Sequence, residues 1–255
     1  MFFEERHEQI VQMLQGGKTI SVSELARRLF VSEATVRRDL NVLEKEGIAR
    51  RVHGGAVLIG HFRDVPLLTR ESEDTGAKQK IGRAAASLVR ENDVIIMDAS
   101  STAYAMIPYL TRFRNIVVVT SGVKTALALG ENHIKTYLTG GLMIDNSYSL
   151  IGGHTVDFIS SLSADILFFS CRGAAEDGRL TDTSVEEAQL RQVMFHHAKR
   201  KVFLSAGSKI GRDYFYVLGH ANEMDDIICD QPVPEAWRAP TVEGHTPRIW
   251  LDVEE

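Results

Sequence analysis

Six short, apolar and largely β-branched runs recur along the C-terminal two thirds of the chain, at 93–98, 116–120, 134–139, 165–170, 201–205 and 226–229. Each has the length of a strand. The segments between them mostly carry helical spacing, as in Ile81, Ala85, Leu88 and Val89. Strands read as nearly continuous apolar runs when both faces are covered, and alternation with helices makes the connections crossovers. The pattern therefore predicts an α/β fold with a mostly parallel sheet covered by helices.

The residues that follow these runs carry the chemistry. The first is followed by Asp98-Ala-Ser-Ser-Thr102, the second by Thr120-Ser-Gly122 and the third by Thr139-Gly-Gly141. The fourth gives Ser170-Cys-Arg-Gly173 and the fifth Ala206-Gly-Ser-Lys209. In open α/β sheets ligands sit beyond the carboxyl ends of the strands, where small residues let backbone N–H groups approach an anion. Hydroxyls, glycines, one Arg and one Lys converging there suit a phosphorylated polyol or sugar. Any one such loop is ordinarily only a turn. Asp98 alone reads as a cap for a helix beginning near Ser101, and Lys209 alone as a solvated lysine.

The first 57 residues have a different grammar. Residues 4–15 show helical spacing and stop at Gly16-Gly17; Ser21-Val-Ser-Glu24 is a capping-box pattern, followed by Val22, Leu25, Ala26 and Leu29 on one face. After Phe30-Val31, Ser32 is the next N-cap. Val36, Leu40 and Leu43 then form an apolar stripe that leaves Ala34, Arg38 and Asn41 opposite, with Thr35 and Arg37 flanking. A short break between two helices, with a small and basic outward face on the second, is helix-turn-helix geometry. Ser32 and Thr35 are placed to meet phosphate. Beyond Gly47, apolar and basic residues alternate around Gly54-Gly55 as in a β-hairpin, which puts Arg50, Arg51 and His53 on a wing. Two arginines alone would be ordinary solvated groups; the capped helix pair and basic hairpin together reverse that reading.

At this point the run SVSELARRLFVSEATVRRDLNVLEKEGIARRVHGGAV resembles the winged helix-turn-helix of DeoR-type bacterial transcription regulators. In that family the S-x-x-T-[hydrophobic]-R-[RK]-D-L segment belongs to the recognition helix and R-x-H-G-G-A to the wing. Residues 77–230 resemble the effector domain of the same family, which shares its fold with ribose 5-phosphate isomerase, glucosamine 6-phosphate deaminase and coenzyme A transferases. The resemblance implies that Asp98, Ser100, Ser101, Thr102, Thr120, Gly140, Gly141, Arg172 and Lys209 lie in or beside a sugar-phosphate pocket. The chain departs from the family pattern in having D-A-S-S-T for D-[SA]-G-T-T, T-S-G for T-N-S and S-A-G-S-K for A-D-x-S-K. Ser121 and Ala206 thus replace the usual Asn and Asp, which bears on which sugar is recognised.

The expected organisation is a DNA-binding domain over 1–57, a linker over 58–76, an effector domain over 77–235 and a tail over 236–255. Net charge is -5, with nine basic and eight acidic residues up to position 57 and 20 against 26 beyond it. Binding of nucleic acid by the whole surface is thereby disfavoured. No apolar run approaches the roughly 18 residues of a membrane span, and MFFEERHEQ lacks signal-peptide order; a cytoplasmic location without membrane partners is expected. Cys171 and Cys229 lie outside any C-x-x-C motif and read as buried small residues. No metal-ligand spacing, G-x-G-x-x-G or Walker pattern is present, so no cofactor or metal is expected.

The rival to a regulator is a sugar-phosphate isomerase or deaminase-like enzyme with an appended DNA-binding domain. Proton transfer at a sugar needs a placed acid or base, and the best acids are Asp182, Glu186 and Glu187 in LTDTSVEEAQLRQVM. An acid-rich first helical turn accounts for them through the helix dipole. The reading is therefore a switch: a repressor of carbohydrate metabolism genes that binds double-stranded operator DNA. A phosphorylated sugar would control it, and a homo-oligomer, dimer or tetramer, would read paired half-sites.

Overall fold

The computed structural model describes residues 3–14, 20–45, 49–52, 55–58 and 65–250. The chain divides into two compact units, Met1–Arg63 and Asp64–Glu255.

In the first unit, helices α1 (Phe3–Leu14), α2 (Val22–Leu29) and α3 (Glu33–Lys45) stand with strands β1 (Ile20–Ser21), β2 (Ala49–Val52) and β3 (Gly55–Leu58). The expected apolar stripes meet in one core of Ile10, Leu14, Val22, Leu25, Leu29, Val36, Leu40 and Leu43. Ser21 caps α2 by accepting from Glu24 N–H at 3.1 Å. The other half of the capping box is replaced: Glu24 turns to Arg27 and to Arg28, the latter at 2.7 Å. Phe30 adopts a left-handed backbone that ends α2. The hairpin gains a strand, since β3 pairs antiparallel with both β2 and β1. Gly55 is required there because a Cβ would lie 2.3 Å from the Ile20 carbonyl oxygen.

The second unit opens with α4 (Leu67–Ser72) and α5 (Thr75–Ala86). It continues with β4 (Val94–Met97), α6 (Ser101–Tyr104), α7 (Ile107–Leu110), β5 (Val117–Thr120), α8 (Val123–Glu131) and β6 (Lys135–Leu138). A hairpin, β7 (Leu142–Ile144) and β8 (Ser149–Ile151), leads to α9 (Gly153–Ser160) and β9 (Ile166–Phe169). Then come β10 (Gly173–Ala174), β11 (Arg179–Asp182), α10 (Val185–His196), β12 (Lys201–Ser205), β13 (Tyr216–His220), β14 (Asp226–Cys229) and β15 (Arg248–Trp250). Among the described residues seven strands form one sheet, in the order β15-β14-β12-β9-β4-β5-β6. Every pairing in it is parallel.

Side chains alternate across this sheet. Ile166 and Phe168 of β9 face one core with Ile81, Ile95, Met97 and Leu204, while Leu167 and Phe169 face another with Ile96, Phe203, Met194 and Trp237. Burial on both faces is why the strands read as unbroken apolar runs. The chain winds one way through β4, β5 and β6 and the other way from β9 through β12 to β15. The order therefore reverses between β4 and β9, the place beyond whose carboxyl ends ligands sit in open α/β sheets.

Two segments differ from expectation. The connector expected over 58–76 is structured: Leu58 belongs to β3, α4 buries Leu67, and α5 already begins at Thr75. Pro66 marks the start of a helix there, where a missing N–H costs nothing. The described part of the tail, 236–250, is also part of the fold. Trp237 is fully buried, 5.9 Å from the Phe203 ring, and its indole N–H donates to the Ala175 carbonyl at 2.8 Å. Trp250 donates to the buried Asp226 at 2.8 Å, and Arg200 and Arg248 pair with the same carboxylate. Burial alone would raise the Asp226 pKa, but these partners hold it below the usual range. Lone aromatics give no periodic signal, so their roles were not legible from spacing. Trp237→Ala should destabilise the protein by about 3–5 kcal/mol, read by circular dichroism as a lower urea midpoint, and Trp237→Phe should cost less.

Candidate functional site

In the first unit the outer face of α3 is polar and open. Ser32, Ala34, Arg37, Arg38 and Asn41 are exposed, and Thr35 is half-buried. Ser32 accepts from Thr35 N–H at 3.2 Å and its hydroxyl lies 2.9 Å from that of Thr35, so both hydroxyls serve the cap. Arg37 pairs with Glu33 at 2.7 Å, whereas Arg38 pairs with no acid among the described residues. Between these arginines and the apolar stripe, Asp39 is almost wholly buried and binds Arg6 of α1 through both oxygens, one of them at 3.0 Å. That pair fixes α3 on α1; spacing showed α3 to be amphipathic but gave no partner for its acid. Arg50 and Arg51 occupy β2 opposite Val57 and Ala56. His53 lies outside the described residues.

In the second unit the crevice between β4 and β9 is closed by a chain of charges. Asp98, at the end of β4, accepts from Ser100 N–H at 3.1 Å and Ser100 Oγ at 2.5 Å with one oxygen. Its other oxygen accepts from Ser170 N–H at 3.1 Å and from Arg191 Nε at 2.9 Å. Arg191, on α10, also donates to Asp182 at the end of β11 at 2.8 Å, and Arg172 approaches the same carboxylate at 3.8 Å. Burial would lower the Arg191 pKa, but Asp182, Asp98 and Glu187 outweigh it and hold the guanidinium charged. Ser100, not Asp98, caps α6, accepting from Ala103 N–H at 3.1 Å.

Beside this chain lies Lys209. Its ammonium donates to Ser170 Oγ at 2.7 Å and Thr102 Oγ1 at 3.1 Å, and Ser170 passes its own proton to the Leu204 carbonyl at 2.6 Å. The solvated lysine expected from that residue alone is replaced by a packed one. Desolvation, reinforced by Lys78, Arg172 and Arg70, pulls its pKa down to about 8. Lys209 thus lies among the carboxyl ends of β4, β9 and β12, and the charges of Lys78, Arg172 and Arg70 act on it. Two of them, Arg70 and Lys78, fall on α4 and α5, where a connector was expected or just ended. Lys78 is itself buried, and desolvation lowers its pKa.

The remaining expected residues are placed as follows. Ser101 and Thr102 are buried in α6. Thr120 ends β5, and its hydroxyl accepts from Gly122 N–H at 3.0 Å within its own turn. Gly140 and Gly141 follow β6 with positive φ, and the Gly140 carbonyl accepts from Thr155 at 2.6 Å. A Cβ on Gly141 would lie 2.4 Å from both the Ile151 carbonyl and Thr155 Oγ1. Of the acids weighed for catalysis, Asp182 is paired with Arg191, while Glu186 is exposed and accepts from Ser184 Oγ at 3.2 Å. Glu187 is buried on α10. Cys171 is buried, which pushes its thiol pKa up to about 12. No helix among the described residues is long and apolar enough to cross a membrane.

A helix-turn-helix unit followed by a parallel α/β unit with a cationic crevice defines a regulator with an attached sensor. Residues 6–61 match the DeoR-like helix-turn-helix domain, and residues 73–231 match the DeoR C terminal sensor domain. The chain is 36% identical to the HTH-type transcriptional regulator GolR of Listeria innocua, across 92% of this chain and 94% of that one. It is 27% identical to the Glycerol-3-phosphate regulon repressor of Escherichia coli, across 90% and 92%. A solved ribose 5-phosphate isomerase from Methanocaldococcus jannaschii aligns with a TM-score of 0.42 and 16% identity. That alignment covers 54% of this chain and 55% of the isomerase. The chain belongs to the DeoR family of helix-turn-helix transcriptional regulators. This family and these relatives by sequence are regulators, not enzymes.

The charge chain sets a stability test. Arg191→Met leaves Asp98 and Asp182 buried without their shared cation and should destabilise the second unit by about 3–5 kcal/mol, measured by urea unfolding.

Proposed function

We propose that this chain is a repressor of carbohydrate metabolism genes that binds operator DNA through α3 and the β2–β3 wing and is controlled by a phosphorylated sugar. Residues 1–57 form the DNA-binding part, and the sheet with its helices forms the effector-binding part. The observation that carries the sensing half is Lys209: a packed ammonium on two hydroxyls, with three further cations close enough to depress its pKa. A desolvated ammonium is unfavourable until an anion enters. A phosphate neutralises it and forms short charge-assisted bonds. Asp98, Ser100, Ser101, Thr120, Gly140, Gly141 and Arg172 complete the crevice and its rim. The name of the Glycerol-3-phosphate regulon repressor supports a phosphorylated polyol or sugar as the class.

On the DNA side, Ser32, Thr35 and Arg37 border the groove-facing surface, Arg38 and Asn41 face base edges, and Arg50, Arg51 and His53 follow the backbone. One winged helix covers too little DNA for specific affinity at cellular salt, so at least two copies read paired half-sites.

Arg38→Ala should cost about 1–3 kcal/mol on a specific operator and relax its sequence preference. Arg50→Ala should instead weaken all sequences alike and flatten the salt dependence; gel-shift titrations on specific and scrambled fragments separate the two. A thermal-shift panel of sugar phosphates against their unphosphorylated parents tests the pocket, since a ligand of the folded state raises its stability. Lys209→Ala should abolish the phosphate-dependent shift while operator affinity without ligand stays intact. The pH dependence has a definite sign. Lys209 is charged below about 8, so phosphate affinity should be full there and fall as the pH rises past that value. Unliganded stability runs the other way, gaining from this group as the pH climbs from about 8 toward the ordinary lysine range. Titration calorimetry across that range, with wild type and Lys209→Arg, reads the difference.

A further inference from the structure

The segment 65–78 is the first described part of the second unit, and the chain leads directly into it from the helix-turn-helix unit. It is held as one piece. Arg70 Nε donates to the Val65 carbonyl at 2.8 Å, and the buried Lys78 ammonium reaches back from α5 to the carbonyls of Arg70 and of Glu73, the latter at 2.7 Å. Between the helices Asp74 adopts a left-handed backbone, φ 51°, which turns the chain from α4 into α5.

This hook touches the loops of the cationic crevice at three separate places. Leu67 N–H donates to the Asn146 carbonyl, in the β7–β8 turn, at 2.7 Å. Glu71 pairs with Lys124 in the first turn of α8, just after the Thr120-Ser-Gly122 loop. Asp74 occupies the N-cap position of α5 but makes no cap with its side chain. An Asp there ordinarily accepts from its own helix; here the carboxylate instead accepts from Ser208 Oγ at 2.5 Å, one residue before Lys209. The hook also carries two of the four cations, Arg70 and Lys78, while Lys209 and Arg172 belong to the strand ends. An anion in the crevice interacts with both sets at once, so its binding energy depends on where the hook lies. A ligand shifts an equilibrium only through such a difference.

Building on the pocket reading above, we propose that residues 65–78 are the element that transmits occupancy of the anion pocket to the DNA-binding unit. Asp74–Ser208 and Glu71–Lys124 are its two side-chain couplings. Ser208, Asp74 and Glu71 position the hook and do not bind the anion.

The test uses the full chain, inorganic phosphate as probe and an operator fragment selected with the unliganded protein. In wild type, phosphate should raise the melting temperature, slow amide exchange over 65–78 and change operator affinity by at least about five-fold, the lower end of allosteric couplings. Ser208→Ala, at an exposed position, and Glu71→Gln should each retain the phosphate-dependent melting shift. In both, the operator response should fall below about two-fold. A wild-type operator response in both variants overturns the proposal. So does a phosphate-bound wild type whose exchange over 65–78 or operator affinity is unchanged. A wild type with no melting shift overturns the pocket reading itself, and the hook's role falls with it.

Discussion

Arg191 lies between Asp98 and Asp182 in a crevice from which water is nearly excluded, and the geometry of the second unit's site follows from that contact. A lone guanidinium there would be strongly disfavoured, and two lone carboxylates more so; together, with backbone N–H groups on the remaining oxygens, they satisfy one another. The arrangement ties α10 to the ends of β4 and β11. It also sets Ser170 through its N–H on Asp98, and Ser170 in turn presents a hydroxyl to Lys209. The position of Lys209 thus descends, bond by bond, from the buried contact of Asp98, Arg191 and Asp182.

The first unit uses the same device on a smaller scale. Asp39, buried beneath the exposed arginines of α3, holds Arg6 of α1 and so fixes the angle at which the outer face is presented. In both units buried carboxylates hold an arginine in place: Asp39 holds Arg6, and Asp98 and Asp182 hold Arg191. In a chain of net charge -5, the two ligands proposed above depend on local cations, which act at short range where the dielectric is low. Proton shuttling at a sugar needs an acid or base free to change state, and Asp182, one of the acids weighed for that role, is locked in an ion pair with Arg191.

The energetic demand of switching is modest. Reversing a population from 1:99 to 99:1 takes about 5.5 kcal/mol of differential binding, which several subunits can share. In the proposed switch a phosphate at Lys209 supplies that difference, because its attraction to the charges on the segment 65–78 depends on where that segment lies.

Much of this was fixed by local pattern. The helix pair, its caps, the outward arginines and the six parallel strands all rest on periodicity, turn chemistry and β-branched runs, which act over a few residues and survive in a single sequence. The small-residue loops after the strands were legible for the same reason. What spacing could not supply were partnerships across the fold. Asp98 reads as a helix cap until Arg191, 93 positions later, is seen to claim it; Asp182 reads as a first-turn acid until the same arginine does. Arg70 and Lys78 look like charges in and beside a connector, since a six-residue helix leaves little periodic signal and its anchors lie at Lys124, Asn146 and Ser208. Trp237 and Trp250 find their places only when the sheet offers Ala175 and Asp226 as acceptors. Local sequence determined which elements form and which faces they bury; tertiary structure decided which buried charges neutralise one another, because that depends on distances between residues far apart in the chain.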